Sequence, residues 1–122
     1  MGIHMNNNSN IGTLQQSRFL RCIAEPTRLQ ILALLAGEER CVGEIADALG
    51  KEQSLVSHHL ARLRECNIVS SRQVAQKIYY FVADSRISRL VLSIQSLVAS
   101  MPLCRAEAPC CQEPEGNNDY DE

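Results

Sequence analysis

The order of apolar and polar residues predicts helices over most of the chain. A first helix is expected from Leu14 to Ala24, because Leu14, Leu20 and Ile23 are apolar and the residue before Pro26 avoids helical angles. Pro26 suits the first turn of a second helix, which is rich in Leu and Ile and ends at Gly37. Since this second helix is apolar on most sides, we expect it at the centre of the core.

Two short helices are predicted next, separated by a turn that contains Gly50. The third covers residues 42–49, and the fourth begins at a capping Ser54 and continues to Glu65. The buried stripe of the fourth helix is predicted to be Val56, Leu60 and Leu63. Two helices joined in this way form a helix-turn-helix, in which the second helix enters the major groove of DNA. The fourth helix is therefore the candidate recognition helix.

Residues 68–73 and 77–82 are rich in β-prone side chains and predict a hairpin, or wing, around residues 74–76. Helical spacing then returns from Ile87 to Met101 and stops at Pro102. The predicted fold class is mainly α with a β-hairpin wing, a winged helix-turn-helix. So small a domain cannot easily cover this last apolar stripe, so we expect a homodimer through the first and last helices. The alternative is a last helix that folds back on its own core.

With 122 residues and 45% hydrophobic residues, the chain fits one domain. We assign residues 1–10 to a disordered N-terminal segment or tag remnant, 11–101 to a DNA-binding and dimerisation domain, and 102–122 to an acidic, Cys-containing tail. The tail has six acidic residues and one arginine, a net charge of −5, whereas the rest has 11 basic and eight acidic residues. The domain is thus mildly basic, as suits DNA. Neither a membrane-spanning run nor a signal peptide is seen, so no membrane partner is expected, and we expect a cytoplasmic protein.

Polar side chains that can bond to bases or phosphates lie off the buried stripe of the fourth helix. Adjacent histidines on a helix point about 100° apart, so we expect one of His58 and His59 to face DNA and the other to pack near the core, with His58 as the DNA-binding candidate. On the hairpin, Arg72 and Lys77 would meet the DNA backbone or minor groove. The alternative is a charged face that is merely solvated. The candidate DNA-binding residues are Gln53, Ser54, Ser57, His58, Arg62, Arg72 and Lys77.

Three segments carry a resemblance to a known family: Glu-Pro-Thr-Arg-Leu-Gln-Ile-Leu at 25–32, Val-Gly-Glu-Ile-Ala at 42–46 and Gln-Ser-Leu-Val-Ser-His-His-Leu-Ala-Arg-Leu at 53–63. In order and spacing they resemble the ArsR/SmtB family of metal-sensing repressors, over roughly residues 14–100. The resemblance implies a dimeric repressor that binds double-stranded operator DNA and leaves it when an effector binds.

The six cysteines are expected to be reduced thiols, because their spacing is uneven and no secretion signal is present. Three of them, Cys104, Cys110 and Cys111, fall within eight residues of the tail. Soft thiolates select soft ions, and three sulfurs suit an ion with three bonds better than Zn(II), which takes four ligands. As(III) or Sb(III) is therefore the first choice of effector, with an unstructured tail that merely contains thiols as the alternative.

Other effector positions are implied only by the family resemblance. A Cys-x-Cys pair at the start of the third helix is incomplete here, because Gly43, two residues after Cys41, occupies the position of the second thiol. The last helix lacks the histidines of a zinc or nickel site. Cys66 matches a position that a cadmium- and lead-sensing branch uses together with tail cysteines, although Arg62 replaces another of its thiols. Cd(II) or Pb(II) at Cys66 plus the tail is thus the second assembly, and Cys22 is expected in the core.

Rival hypotheses keep the DNA-binding domain but change the signal. The cysteines could form a redox or persulfide switch, or the protein could lack an effector. Catalysis is not expected, because the sequence has no Gly-rich phosphate loop and no nucleophile with a recognisable base. In the favoured mechanism, the effector orders the tail against the dimer and favours a geometry in which the two recognition helices no longer match successive half-sites.

Overall fold

The computed structural model describes residues 7–102, with side chains from Ile11 onward. The predicted tail, apart from Pro102, therefore lies outside the described residues. Within them the order of elements is α1 (Asn7–Ile23), α2 (Pro26–Leu35), β1 (Arg40–Cys41), α3 (Val42–Leu49), α4 (Gln53–Glu65), β2 (Val69–Val74), β3 (Lys77–Val82) and α5 (Ser85–Ser100). The predicted winged helix-turn-helix, with five helices and a hairpin in this order, is confirmed.

Helix boundaries follow local backbone chemistry. Glu25 is extended, with φ −143° and ψ 133°, and its carboxylate accepts a 2.9 Å bond from the Arg28 N–H at the start of α2. Gly50 adopts φ +65° after α3, a conformation that favours glycine, and its N–H donates back to Ala46. The start of α1 differs from the prediction. It begins at Asn7, so four of the residues assigned outside the fold are helical.

The sheet has three antiparallel strands in the order β1-β3-β2. The predicted hairpin is confirmed, with a turn one residue shorter than expected because Val74 pairs with Lys77. Ala75 takes φ +57° in this turn. The strand β1 was missed, since a two-residue strand is too short to show an alternating pattern. It pairs Arg40 with Tyr80 and joins the wing to the start of α3.

The core is aliphatic and centres on α2, which contacts α3, α4 and β3. Side chains with no exposed surface come from α2, α3, α4 and the residue before β2: Ile31, Leu32, Ile45, Val56, Leu60, Leu63 and Ile68. The predicted buried stripe of α4 is confirmed. This packing fixes the orientation of α4, and with it the side chains on the opposite face of that helix.

The chain divides into two compact units within α5, the first ending at Leu92 and the second beginning at Ser93. In the first unit Val91 is buried. Several large apolar side chains of each unit are nevertheless exposed in the single chain: Ile11, Leu14, Leu20, Leu90 and Leu92 in the first, and Leu97, Val98 and Met101 in the second. Among the described residues, no helix combines the length and apolar character needed to span a bilayer.

Candidate DNA interface and effector site

The candidate recognition helix α4 starts two residues earlier than predicted, because its N-cap is Glu52 and not Ser54. Glu52 precedes it with an extended backbone, and its carbonyl accepts a 3.1 Å bond from the Val56 N–H. Ser54 therefore lies inside the first turn, and the prediction that it caps α4 is wrong. Ser54 is exposed in this turn.

Five of the seven predicted DNA-binding residues belong to α4 and lie off its buried stripe. Residues four apart on a helix stack above one another, so these five form two adjacent rows. Gln53, Ser54 and Ser57 are exposed, whereas His58 and Arg62 are half-buried. The rows are Gln53 with Ser57, and Ser54 with His58 and Arg62. These residues carry amide, hydroxyl, imidazole and guanidinium groups, and the Arg62 guanidinium also contacts Glu65, with Nη1 3.5 Å from Oε2.

A buried polar network lies on the core side of α4. His59 is only 2% exposed, as expected for the histidine that faces the core, and its Nδ1 accepts a 3.0 Å bond from Arg28 Nε. Arg28 is itself 4% exposed and also donates to the Cys22 carbonyl at 3.1 Å. Glu25 Oε2 lies 3.6 Å from His59 Nδ1. The network connects the junction of α1 and α2 to the recognition helix.

On the wing, Arg72 and Lys77 are both exposed, but Arg72 has a partner that the sequence did not reveal. Its Nε lies 3.0 Å from each carboxylate oxygen of Glu39, and its Nη2 also contacts Oε1. Hydrogen bonding to Arg72 lowers the pKa of Glu39, and the same bond raises the pKa of Arg72. Glu39 was missed because it lies 33 positions away in the sequence.

The cysteines in the described part of the chain occupy three different settings. Cys22 is buried, as expected for a core residue, and its thiol donates to the Arg62 carbonyl at 3.7 Å. Cys41 precedes α3, where its backbone N–H and its thiol both donate to Glu44 Oε1, at 3.0 and 3.1 Å. These bonds, the backbone one first, lower the pKa of Glu44. Cys66 is exposed at the end of α4.

Within residues 7–102, no three Cys, His, Asp or Glu side chains come together in a way that could hold a metal ion. Neither Cys41 nor Cys66, the alternative ligands, is therefore part of a set of three such side chains within this range. The predicted ligands Cys104, Cys110 and Cys111 lie outside the described residues. The described geometry thus bears on DNA contact more than on effector binding.

Comparison with known proteins agrees with this architecture. Residues 25–71 match the family described as bacterial regulatory protein, arsR family. A probable mercury resistance operon repressor from Streptomyces lividans is 35% identical over 103 residues, which are 84% of this chain and 80% of that protein. The chain belongs to the arsR family. This is a family of transcriptional regulators, so the protein is a DNA-binding regulator and not an enzyme.

Two further comparisons support the arsR-family assignment. A transcriptional repressor SmtB homolog from Synechocystis sp. is 37% identical over 76 residues, 62% of this chain and 58% of that protein. The solution structure of a homodimeric winged helix-turn-helix DNA-binding domain from Mycobacterium bovis, a possible ArsR-family regulator, superimposes with a TM-score of 0.70 at 31% identity. That alignment covers 81% of this chain and 91% of the other.

At the start of α5, Asp84 is committed to a structural role. Its Oδ1 accepts a 2.8 Å bond from the Arg86 N–H, and its Oδ2 accepts one of the same length from Arg86 Nη2. These bonds, the side-chain one first, lower the pKa of Asp84 to about 2. The Asp84 carboxylate therefore faces the Arg86 cation at the start of this helix.

Proposed function

We propose that this arsR-family protein is a homodimeric transcriptional repressor of the cytoplasm that a thiophilic ion releases from double-stranded operator DNA. Helix α4 of each subunit enters the major groove, and the wing contacts the backbone or minor groove. The observation that carries this proposal is the outer face of α4. Gln53, Ser54, Ser57, His58 and Arg62 lie off the stripe of Val56, Leu60 and Leu63, which has no exposed surface.

Exposed apolar residues on α1 and α5 support the homodimer. Leu14 and Leu20 of α1 are 58% and 52% exposed, and Leu97 and Val98 of α5 are 48% and 57% exposed. Apolar residues repeated along a helix face are ordinarily covered by a partner. The Mycobacterium bovis domain is named as homodimeric, which supports the same assembly here. Two copies would present two recognition helices to successive half-sites.

The effector we propose is As(III) or Sb(III), held by Cys104, Cys110 and Cys111. Three thiols within eight residues match the three bonds of these ions. The Streptomyces lividans relative is named for mercury resistance, which supports a thiophilic effector without choosing among such ions. Ligand thiols must lose their protons, so release is expected to weaken at acidic pH.

A second candidate uses Cys66 with the tail cysteines to bind Cd(II) or Pb(II). Its support is the exposure of Cys66 at the end of α4, where a ligand can reach the thiol. An ion bound there would act directly on the end of the recognition helix. The redox alternative requires two of the thiols to form a disulfide, with loss of two protons and two electrons to an oxidant.

The test is fluorescence-anisotropy binding to labelled duplex DNA from upstream of the protein's own gene, under reducing conditions. Wild type, Cys104→Ser/Cys110→Ser/Cys111→Ser and Cys66→Ser are each titrated with As(III), Sb(III), Cd(II), Pb(II), Hg(II) and Zn(II). Release of wild type by As(III) or Sb(III), lost in the triple variant and kept in Cys66→Ser, supports the tail site. Cys22→Ser is unsuitable as a control because that thiol is buried.

Other outcomes assign the effector differently. Release by Cd(II) or Pb(II) that requires both Cys66 and the tail favours the second assembly. Release by an oxidant but by none of the ions favours the redox switch. Failure of the wild-type protein to bind the duplex more tightly than a scrambled duplex contradicts the repressor proposal for this promoter.

A further inference from the structure

The wing arginine proposed to meet DNA is already bonded to a carboxylate of its own chain. Arg72 Nε lies 3.0 Å from both Glu39 oxygens, and Nη2 contacts Oε1, so one edge of the guanidinium is occupied. The Arg72 side chain is 58% exposed and that of Glu39 is 33% exposed. The pair therefore lies at the surface of the wing, where DNA would approach.

Two other cations of the sheet, Arg40 and Lys77, also have acidic residues nearby. Arg40 Nη2 lies 3.3 Å from Glu38 Oε1. Hydrogen bonds from Cys41 lower the pKa of Glu44 most, and the positive charges of Arg40 and Lys77 lower it further. Acidic residues just before β1 and in the first turn of α3 thus offset positive charge at the sheet.

A phosphate and a carboxylate offer a guanidinium the same kind of anionic acceptor. The edge of Arg72 that Glu39 occupies cannot bind a phosphate in the same geometry. DNA must therefore displace Glu39, or leave its carboxylate beside the phosphates, and either event weakens binding.

We propose that Glu39 competes with a DNA phosphate for Arg72 and so lowers the affinity of the repressor for DNA. This inference rests on the proposed function, because it needs Arg72 at the DNA backbone. A repressor must leave its operator when the effector binds. If its affinity for DNA is already lower, a smaller effector-induced loss of DNA affinity is enough for release. Glu39 does not itself contact DNA; it affects DNA binding only through Arg72.

The experiment compares Glu39→Gln, Arg72→Gln and the double variant with wild type, in effector-free, reduced form. Glu38→Gln is the matched control, because it removes the same charge from the neighbouring position, which pairs with Arg40 instead. Dissociation constants for the labelled upstream duplex are measured by anisotropy over a series of salt concentrations. Circular dichroism verifies that each variant keeps its fold.

Glu39→Gln is expected to lower the dissociation constant about two- to fivefold, the size typical of one exposed ion pair. Glu38→Gln is expected to lower it by clearly less. Arg72→Gln should weaken binding and reduce the magnitude of the salt slope by about 0.9, as loss of one phosphate contact requires. In the Arg72→Gln background, Glu39→Gln should have little further effect.

The two failures are distinguishable. If Arg72→Gln leaves both affinity and salt slope unchanged, Arg72 is not at the DNA backbone, and this part of the proposed function fails together with the inference. If Arg72→Gln weakens binding but Glu39→Gln does not strengthen it, only the competition is overturned. An equal gain from Glu38→Gln, or a gain that persists without Arg72, also overturns it.

Discussion

Arg28 Nε donates a 3.0 Å hydrogen bond to His59 Nδ1, and both side chains are buried. Arginine remains protonated in proteins and can only donate, so Nδ1 must act as an acceptor. The neutral ring therefore carries its proton on Nε2. Because His59 lies on α4 and Arg28 on α2, this bond connects the centre of the core to the recognition helix.

Replacing His59 with leucine should destabilise the protein by about 1.5–3 kcal/mol, the usual size for a lost hydrogen bond to a charged group. The substitution leaves the buried Arg28 charge without its imidazole acceptor. His59→Asn offers a carbonyl oxygen close to the position of Nδ1 and should recover most of the loss. Urea unfolding at a fixed protein concentration measures all three proteins, since a dimer's stability depends on concentration.

His58→Leu is the matched control, because His58 is the adjacent, half-buried histidine on the outer face of α4. It should cost little stability but weaken DNA binding. Equal stability of His59→Leu and wild type, or equal losses at both histidines, would show that the Arg28–His59 bond does not hold the helix.

A charge on the exposed face of α1 should disrupt the dimer. Leu20 is 52% exposed in the single chain, and a glutamate there would place an unpaired charge in the proposed interface. Leu20→Glu is therefore expected to shift the protein toward monomer in sedimentation velocity and to weaken operator binding. Val74→Glu, at the wing turn where Val74 is 45% exposed, is the control for the sedimentation measurement only, because a negative charge on the wing would also repel DNA. A Leu20→Glu protein that stays dimeric at the same concentration would place the interface elsewhere.

The sequence predicted those parts of the fold that depend on neighbouring residues. Pro26 and Gly50 mark helix boundaries because each acts on its own backbone, and the apolar spacing of α4 correctly gave its buried stripe. Glu39 and Arg72 form a pair that local pattern cannot reveal, since they meet only after β1 joins the sheet. The assignment of Ser54 as a cap failed for a different reason. Serine is favoured at caps, but the helix begins at Gln53, so the cap is Glu52, two residues earlier.

Cys41 is expected to act as a helix cap and not as an effector ligand. Its thiol and N–H both bond to Glu44. Serine is a better cap than alanine, so Cys41→Ser should be more stable than Cys41→Ala by about 1 kcal/mol in urea unfolding. Cys41→Ser should also keep the wild-type response to thiophilic ions in the anisotropy assay. Loss of that response, with operator binding intact, would return Cys41 to the set of candidate ligands.

Asp84 should make the stability of the protein depend on acid pH. Bonds from Arg86 lower its pKa from the ordinary 3.8 to about 2. A carboxylate with a lowered folded-state pKa stabilises the fold fully above its unfolded-state value, and that contribution is lost as pH falls from about 4 toward 2. Asp84→Asn keeps an oxygen for the Arg86 N–H but removes the charge. Its melting temperature should therefore lie below that of wild type at neutral pH, and the difference should narrow as the pH falls through this window.

Asp47→Asn, at an exposed position on α3, controls for loss of one acidic residue. The contradicting outcome is a difference in melting temperature between Asp84→Asn and wild type that stays constant down to the lowest pH at which both proteins remain folded. It would mean that the ion pair between Asp84 and Arg86 adds nothing to stability, because protonation of Asp84 would then change nothing.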